Sequence, residues 1–168
     1  MKKSGMFRSH PCGIVDQAGN ILHLGAFPQY VPSLVMELMD WVKNSDLHML
    51  IRGCVFHYEF ELIHPFADGN GRVGRLWHTL LLSKWNPIFA WLPVESIIHN
   101  RQEEYYSAIN ASNNIGQSSP FIEFMLSAIK SSLFYAIESS SEMSYGTLDK
   151  VALRIKKLRI ILKNIHLS

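Results

Sequence analysis

The hydrophobic positions of the chain follow helical spacing over most of its length. Apolar residues recur every three or four positions in five segments, at about 33–43, 47–63, 72–85, 96–113 and 120–138. The second segment also alternates between apolar and polar side chains, as a half-buried strand would. Because a pattern of about 16 residues is too long for most strands, we predict a helix there. We expect this helix to end before Pro65, since the residue that precedes a proline avoids helical dihedral angles.

The two ends of the chain differ from these central helices. Two short apolar runs with turn-forming residues between them predict a β-hairpin over about 13–24. Three consecutive serines at 139–141 indicate a hinge, and a basic amphipathic helix is predicted beyond it, at about 148–165. The expected architecture is all-α, with about seven helices and a small hairpin. It is divided into a domain at 1–138 and the hinge and C-terminal helix at 139–168.

Composition and charge narrow the classes of function. With 168 residues, of which 48% are hydrophobic, the chain is expected to form one domain with a real core. No segment approaches the roughly 18 consecutive apolar residues of a membrane-spanning helix, so we expect no membrane partner. Cys12 and Cys54 are isolated, and no secretory signal follows Met1, which together favour a reducing, cytoplasmic location.

The net charge of +2 is unevenly distributed along the chain. Residues 147–168 carry six basic side chains and one acidic side chain, which leaves the rest of the chain mildly acidic. We therefore do not expect the main domain to bind nucleic acid.

The densest cluster of polar residues lies between two strongly apolar helices, at 64–75, with the sequence HPFADGNGRVGR. A glycine-rich loop before a helix start presents backbone N–H groups and a positive dipole end, which suits phosphate. Arg72 and Arg75 would add charged donors on one side of that helix. Asp68 supplies a hard oxygen ligand of the kind magnesium prefers, and His64 can accept a proton near neutral pH.

Three common motifs overlap this segment, and none of them fits. Residues 69–74 match G-x-G-x-x-G, but a dinucleotide site needs a preceding strand, and the predicted neighbours are helices. A P-loop would need Lys and Ser or Thr where Arg75 and Leu76 stand. An EF-hand would need oxygen ligands where Arg72 stands. A simple turn between helices remains an alternative, but it leaves the histidine, carboxylate, glycines and arginines within twelve residues unexplained.

The segment resembles the signature of the Fic family, H-x-F-x-[D/E]-G-N-G-R-x-x-R. Every fixed position is filled, by His64, Phe66, Asp68, Gly69, Asn70, Gly71, Arg72 and Arg75. The resemblance extends over about 8–130 and implies a helical bundle with a β-hairpin flap. It also implies transfer of AMP from ATP to a hydroxyl group of a target protein, with release of pyrophosphate.

The resemblance further implies roles for individual residues. His64 would be the general base, and Asp68 would bind Mg²⁺ on the α- and β-phosphates of ATP. Gly69, Asn70 and Gly71 would form the cradle that binds the phosphates. Arg72 would also bind the phosphates, and Arg75 would bind the γ-phosphate. Tyr105, Tyr106 and Asn113 would line the adenine and ribose pocket, and the flap would dock the target protein by strand addition.

The sequence is also compatible with other activities on the same loop. They are a phosphotransferase, an enzyme that removes AMP, and a nucleotide-binding toxin or regulatory module controlled by a partner such as an antitoxin. A homodimer also stays open.

Many Fic proteins resemble one another in carrying an inhibitory helix, [S/T]-x-x-x-E-[G/N], whose glutamate pairs with the second signature arginine. Ser33 and Ser119 each precede a glutamate at this spacing, but Leu38 and Phe124 follow in place of Gly or Asn. We therefore expect no inhibitory helix of this chain's own. The inhibitor would be a separate protein, an upstream segment of a longer parent, or absent.

Overall fold

The computed structural model describes residues 5–15, 19 and 21–141. A hairpin of β1 (Gly13–Val15) and β2 (Ile21–Leu24) comes first, with Gly13 opposite Leu24 and Ile14 opposite His23. The helices are α1 (Val31–Asn44), α2 (Met49–Ile63), α3 (Asn70–Trp85), α4 (Val94–Asn100), α5 (Gln102–Ile115) and α6 (Ser119–Ser141). Short 3-10 turns cover Pro28–Tyr30 and Pro87–Trp91. The predicted all-α class with a small hairpin is confirmed, and the helix predicted at about 148–165 lies outside the described residues.

Helix α2 is the central element, which explains its ambiguous sequence pattern. It packs on α1, α3 and α6, so side chains on all of its sides are buried, including the alternating Phe56, Tyr58 and Phe60. A helix enclosed on every side shows no clean polar face, and its apolar residues then match more than one period. The helix predicted from the length of this segment is confirmed.

The single helix predicted at 96–113 is wrong, because the structure divides it into α4 and α5 at Arg101. Arg101 leaves the helical region, with φ −114° and ψ 35°. Its guanidinium donates to the carboxylate of Glu104 at 2.9 and 2.6 Å and to the hydroxyl of Ser127 on α6 at 3.1 Å. The apolar spacing continues across the break, from Ile98 to Tyr105, so periodicity alone does not reveal it.

Helix α6 is longer than predicted and runs through Ser141. The three serines at 139–141, which were predicted to form a hinge, are therefore helical. Serine is a moderate helix former, and a run of serines is therefore not a stop signal by itself. By length and composition, Ser119–Ser139 is also apolar enough to cross a membrane. Its face with Phe121, Met125 and Leu133 is fully buried in the main hydrophobic cluster, which is the position of a core helix.

Two hydrophobic clusters meet at α2. The larger cluster joins α2 to α4, α5 and α6, and the smaller one joins it to α1 and α3. The segment 64–69 continues directly from the C-terminus of α2 into α3. The polar loop is therefore attached to two helices that pack extensively against each other, and this packing gives the loop a rigid base.

Candidate active site

The loop between α2 and α3 forms an uncapped helix start. Gly69 adopts a positive φ of 86°, which turns the chain into α3 at Asn70. No side chain caps this helix N-terminus, so the first backbone N–H groups, those of Asn70, Gly71 and Arg72, are not bonded by a capping side chain. Such N–H groups at the positive end of the helix dipole form a binding site for an anion.

The shape of this loop is held by the side chain of Asn70. Its Oδ1 accepts a hydrogen bond from the backbone N–H of Phe66, and its Nδ2 donates to the backbone carbonyl of Phe66, both at 2.7 Å. Asn70 is fully buried. The ring of Phe66 in turn packs on those of Phe7 and Phe60. The side chain of Asn70 is therefore a clamp within the loop, and only its backbone N–H is available to a ligand.

His64 lies at the other lip of the loop in a left-handed conformation, with φ 52° and ψ 60°. It is the only non-glycine residue with positive φ among those described. Its Nδ1 lies 3.3 Å from the carbonyl oxygen of Glu61. Since a carbonyl only accepts, Nδ1 carries the hydrogen in this contact, and the neutral ring has Nε2 free to accept a proton.

The electrostatic surroundings of His64 favour its neutral form. Burial lowers the pKa of the imidazole below its usual value, and the positive charge of Arg8 and the neighbouring ring of His23 act in the same direction. The charge and the backbone carbonyl of Glu61 oppose this shift. His64 is therefore unprotonated, and able to act as a base, at neutral pH.

A cavity of about 400 Å³ brings most of the predicted site residues together. It is lined by the loop, by β1 on one side and by α5 on the other, and it includes His64, Asp68, Gly69, Asn70, Gly71, Arg72, Arg75, Tyr105 and Tyr106. Asn113 does not line it. Asn113 accepts a 2.9 Å hydrogen bond from the hydroxyl of Tyr58 and lies in a separate cavity with His23 and Leu62.

The charged side chains at the loop differ in their exposure. Arg72 and Asp68 form an exposed contact of 3.4 Å, which contributes little to stability. Arg75 is half-buried, and none of the ion pairs within the described ranges involves it. No group of three or more His, Cys, Asp or Glu side chains in that part of the chain is arranged to hold a metal ion. Asp68 alone fits magnesium only where phosphate oxygens and water complete the ligands.

Comparison with known proteins agrees with this geometry. The model of the Fic/DOC family matches residues 1–82, a range that contains both the hairpin and the whole loop. A solved Fic family protein from Desulfovibrio desulfuricans G20 is 42% identical in sequence and superposes with a TM-score of 0.79, over 86% of this chain and 44% of that chain. The part of the chain that holds the hairpin and the loop, residues 1–82, is therefore a Fic/DOC segment.

Two relatives of this chain carry names that describe an activity. Protein adenylyltransferase fic-1 from Caenorhabditis elegans is 31% identical over 122 residues, which are 65% of this chain and 22% of that protein. A probable protein adenylyltransferase from Aquifex aeolicus is 36% identical over 83 residues, or 49% of this chain and 24% of that protein. The chain therefore spans about a quarter of the length of these relatives.

The structure of the Fic/DOC site also contains a buried carboxylate that the sequence analysis did not single out. Glu61 is 4% exposed, lies 3.6 Å from Nε2 of His57 and reaches the floor of the loop cavity. The hydroxyl of Tyr105 lies 3.3 Å from the same nitrogen. A Cβ at position 74 would lie 2.8 Å from Oε1 of Glu61, so Gly74 is the residue that leaves room for this carboxylate.

A second residue that the sequence did not reveal is Arg8, which is 5% exposed and donates only to backbone carbonyls. Its neighbours in the sequence give no signal, because its acceptors at Ile63 and His64 are more than 50 positions away along the chain. For Glu61, its place one helical turn before His64 was the only available signal.

Proposed function

We propose that this chain transfers AMP from ATP to a hydroxyl group of a target protein and releases pyrophosphate. The observation that carries the proposal is the shared cavity of His64 and the uncapped start of α3, beside the β1 strand of the flap. A base, a phosphate site and a strand that pairs on one edge only within the described residues are the three parts that this proposal uses. The names of the relatives, protein adenylyltransferases, support the same activity.

In the proposed mechanism, His64 accepts the proton of the target hydroxyl at Nε2. The hydroxyl oxygen then forms a bond to the α-phosphorus of ATP, the bond from that phosphorus to the α,β-bridging oxygen breaks, and the electron pair leaves with pyrophosphate. The contact of Nδ1 with the carbonyl of Glu61 orients the ring for this role. Because the pKa of His64 is lowered, the base is ready at neutral pH, and transfer should weaken only as the pH falls through that lowered value.

The phosphate chain of ATP would be held by the start of α3. Backbone N–H groups of Asn70, Gly71 and Arg72 face the charge that develops at phosphorus, with the guanidinium of Arg72 beside them. Asp68 would hold Mg²⁺, whose chemistry is to neutralise charge on the α- and β-phosphates. The exposure of Asp68 leaves its carboxylate accessible to such an ion.

The cavities that flank the loop offer space for the two ends of the nucleotide. Arg75 also borders a second cavity of about 460 Å³, which Tyr105 and Tyr106 line as well, and we assign the γ-phosphate to Arg75. With the α-phosphate near His64, adenosine would then extend away from Arg75. Asn113 lines a third cavity, which also contains Leu62, two residues before His64, and we assign the adenine to that cavity. This assignment leaves Tyr105 and Tyr106, which line both cavities that border Arg75, beside the phosphates.

Partners follow from the same geometry. We assign target docking to the flap, whose β2 residue His23 contacts the carbonyl of Leu62 on α2 at 3.0 Å. An inhibitory partner or antitoxin would act by pairing a carboxylate with Arg75, which has no such ion pair within the described ranges. Without one, the chain should transfer AMP with no activation step. A cytoplasmic location and a homodimer stay predictions.

The proposal is tested by incubating the protein with magnesium and a cell lysate that contains ATP labelled at the α- or the γ-phosphate. Transfer of α-label to protein supports adenylylation. Transfer of γ-label would instead indicate a phosphotransferase. Loss of α-label from a protein adenylylated beforehand would indicate removal of AMP. Binding of ATP without either transfer would leave the regulatory module as the correct function.

A further inference from the structure

We propose that Arg8 is a positioning residue for His64, because its buried guanidinium holds the backbone on which the base is mounted. The proposal rests on the proposed function for its consequence in catalysis. The structural part, that Arg8 fixes the conformation of His64, stands on its own contacts and is testable without any transfer of AMP.

The contacts of Arg8 surround the backbone of His64. Nε donates to the carbonyl of His64 at 2.6 Å, and Nη2 donates to the carbonyl of Ile63 at 3.1 Å. The backbone N–H of Arg8 donates to the carbonyl of Pro65 at 2.9 Å. Three consecutive carbonyl groups, one on each side of His64 and its own, are therefore held by a single residue.

This arrangement matters because the conformation of His64 is intrinsically unfavourable. A left-handed conformation costs a residue with a Cβ roughly 1–2 kcal/mol, and it persists only where the surroundings enforce it. Arg8 supplies that enforcement from a buried position. The carbonyls of Ile63 and His64 also follow the last turn of α2, where the helix dipole favours a positive charge.

Arg8 connects the base to the flap as well. Nη2 also donates to the carbonyl of Ala26, and Nη1 donates to the carbonyl of His10 at 2.9 Å. Gly25, which follows β2, fits between Arg8 and His64. A Cβ at Gly25 would lie 2.8 Å from both Nη2 of Arg8 and Cβ of His64. The segment before β1, the end of the flap and the base are thus packed around one guanidinium.

Lysine cannot replace this function, although it keeps the charge. Its single ammonium group is a point donor and lacks the rigid fork that reaches several carbonyls at once. Arg8→Lys should therefore lower kcat about 10- to 100-fold, the loss typical of a small displacement of a catalytic group. The KM for magnesium-ATP should change less than about twofold, because the start of α3 does not depend on Arg8.

The matched control is Arg52→Lys. Arg52 is also partly buried and donates to backbone carbonyls near the end of α1, those of Val42 and Leu47, at 3.3 and 2.9 Å. It lies away from the site, so kcat should stay at the wild-type value. Thermal unfolding of both variants checks that they are folded, and Gly25→Ala serves as the second variant if Arg8→Lys does not fold. It should lower kcat in the same selective way.

A spectroscopic measurement separates this proposal from the proposed function. The NMR signal of the His64 ring, identified by its absence from His64→Gln, should shift in Arg8→Lys and stay in place in Arg52→Lys. If the wild-type protein transfers no AMP, a shifted His64 signal still supports positioning by Arg8. A folded Arg8→Lys protein with an unmoved His64 signal and a kcat within twofold of wild type would overturn the proposal, as would equal losses in both lysine variants.

Discussion

Asn70 shows how one side chain decides the shape of the phosphate loop. In the sequence it is one of three residues in a glycine-rich run, and the family resemblance implied a direct role in the anion cradle. In the structure, both ends of its amide are used on the backbone of Phe66. The sequence could identify the position but not this role, because the hydrogen-bonding partner of a side chain depends on how the loop folds back on itself.

Replacing Asn70 tests this role at the residue scale. Asn70→Ala leaves the backbone N–H and carbonyl of Phe66 without their partners, and each lost partner of a buried group costs about 1–3 kcal/mol. Phe66 is only partly buried, so we expect the free energy of unfolding to fall by about 2 kcal/mol, with a matching loss of magnesium-ATP affinity. Urea unfolding and calorimetry measure the two effects.

The control for Asn70 is Asn44→Ala, because Asn44 donates a similar 2.9 Å bond to the carbonyl of Asp40 at an exposed site. Its removal should change stability by less than about 0.5 kcal/mol. Equal effects of the two substitutions would show that Asn70 is not a clamp.

Gly74 tests the buried carboxylate beneath the loop. The Cβ of Gly74→Ala would lie 2.8 Å from Oε1 of Glu61 and 3.1 Å from the ring of His57, so the carboxylate or α3 must shift. We expect a loss of about 1–3 kcal/mol in stability, as for other overpacked sites, and weaker magnesium-ATP binding.

A double-mutant cycle separates this clash from a general effect of alanine on the helix. In a Glu61→Ala background, the added methyl group no longer meets the carboxylate, and Gly74→Ala should then cost less stability than it does in the wild type. If the two substitutions are simply additive in urea unfolding, Gly74 does not serve to accommodate Glu61.

At the scale of elements, the hydrophobic pattern located the hairpin and most of the helices, because each has one face against the core. The pattern failed at Arg101, where α4 and α5 separate. There the deciding contacts are those of the Arg101 side chain with Glu104 and Ser127, and the contact with α6 spans 26 positions. Periodicity reports which side of a helix is buried and contains no information about such contacts.

The hairpin is the element on which the docking of the target depends. Gly13 lies so close to β2 that a Cβ there would be 2.2 Å from the carbonyl oxygen of His23. Gly13→Ala should therefore separate β1 from β2 and raise the KM for the target protein about tenfold or more, since main-chain pairing would supply the affinity. The affinity for magnesium-ATP, measured by calorimetry, is the internal control and should remain within about twofold of wild type.

For Gly13→Ala, an unchanged KM for the target would contradict docking on the flap. A parallel loss of nucleotide affinity would contradict the assignment of separate roles to the hairpin and the loop.

At the scale of the whole molecule, the buried His78 makes stability depend on pH. Burial, with a smaller contribution from His57, lowers its pKa from 6.5 to about 3. Below pH 6.5 the unfolded chain binds a proton that folded His78 does not, so falling pH favours unfolding by about 1.4 kcal/mol per unit until about pH 3.

Urea unfolding at several pH values measures this dependence. Between pH 6.5 and 4.5, the wild type should lose about 2–3 kcal/mol more than His78→Gln, which has no group to titrate there. The control His99→Gln replaces an exposed histidine and should keep the wild-type slope. A His78→Gln protein with that same slope would show that another group is responsible.

At the level of the whole molecule, only part of the site could be predicted from the sequence. The residues of the signature are contiguous, so their common position at one loop could be predicted from the chain. Arg8 and Glu61 reach the same loop from the segment before β1 and from α2, and their contacts exist only once these elements pack. Asn113 was implied by the resemblance, but it lines a neighbouring cavity and does not line the cavity of the loop.

AMP transfer with His64 as the base is tested most directly by comparing the wild type with His64→Ala. Two quantities are measured on the same preparations: the affinity for magnesium-ATP and the transfer of α-labelled AMP to protein. Because His64 serves as the base and the start of α3 binds the phosphates, the variant should keep its affinity within about twofold. Its transfer rate should fall by about 10² to 10⁴, the range expected for loss of a general base. A His64→Ala protein that transfers AMP at nearly the wild-type rate would contradict the account.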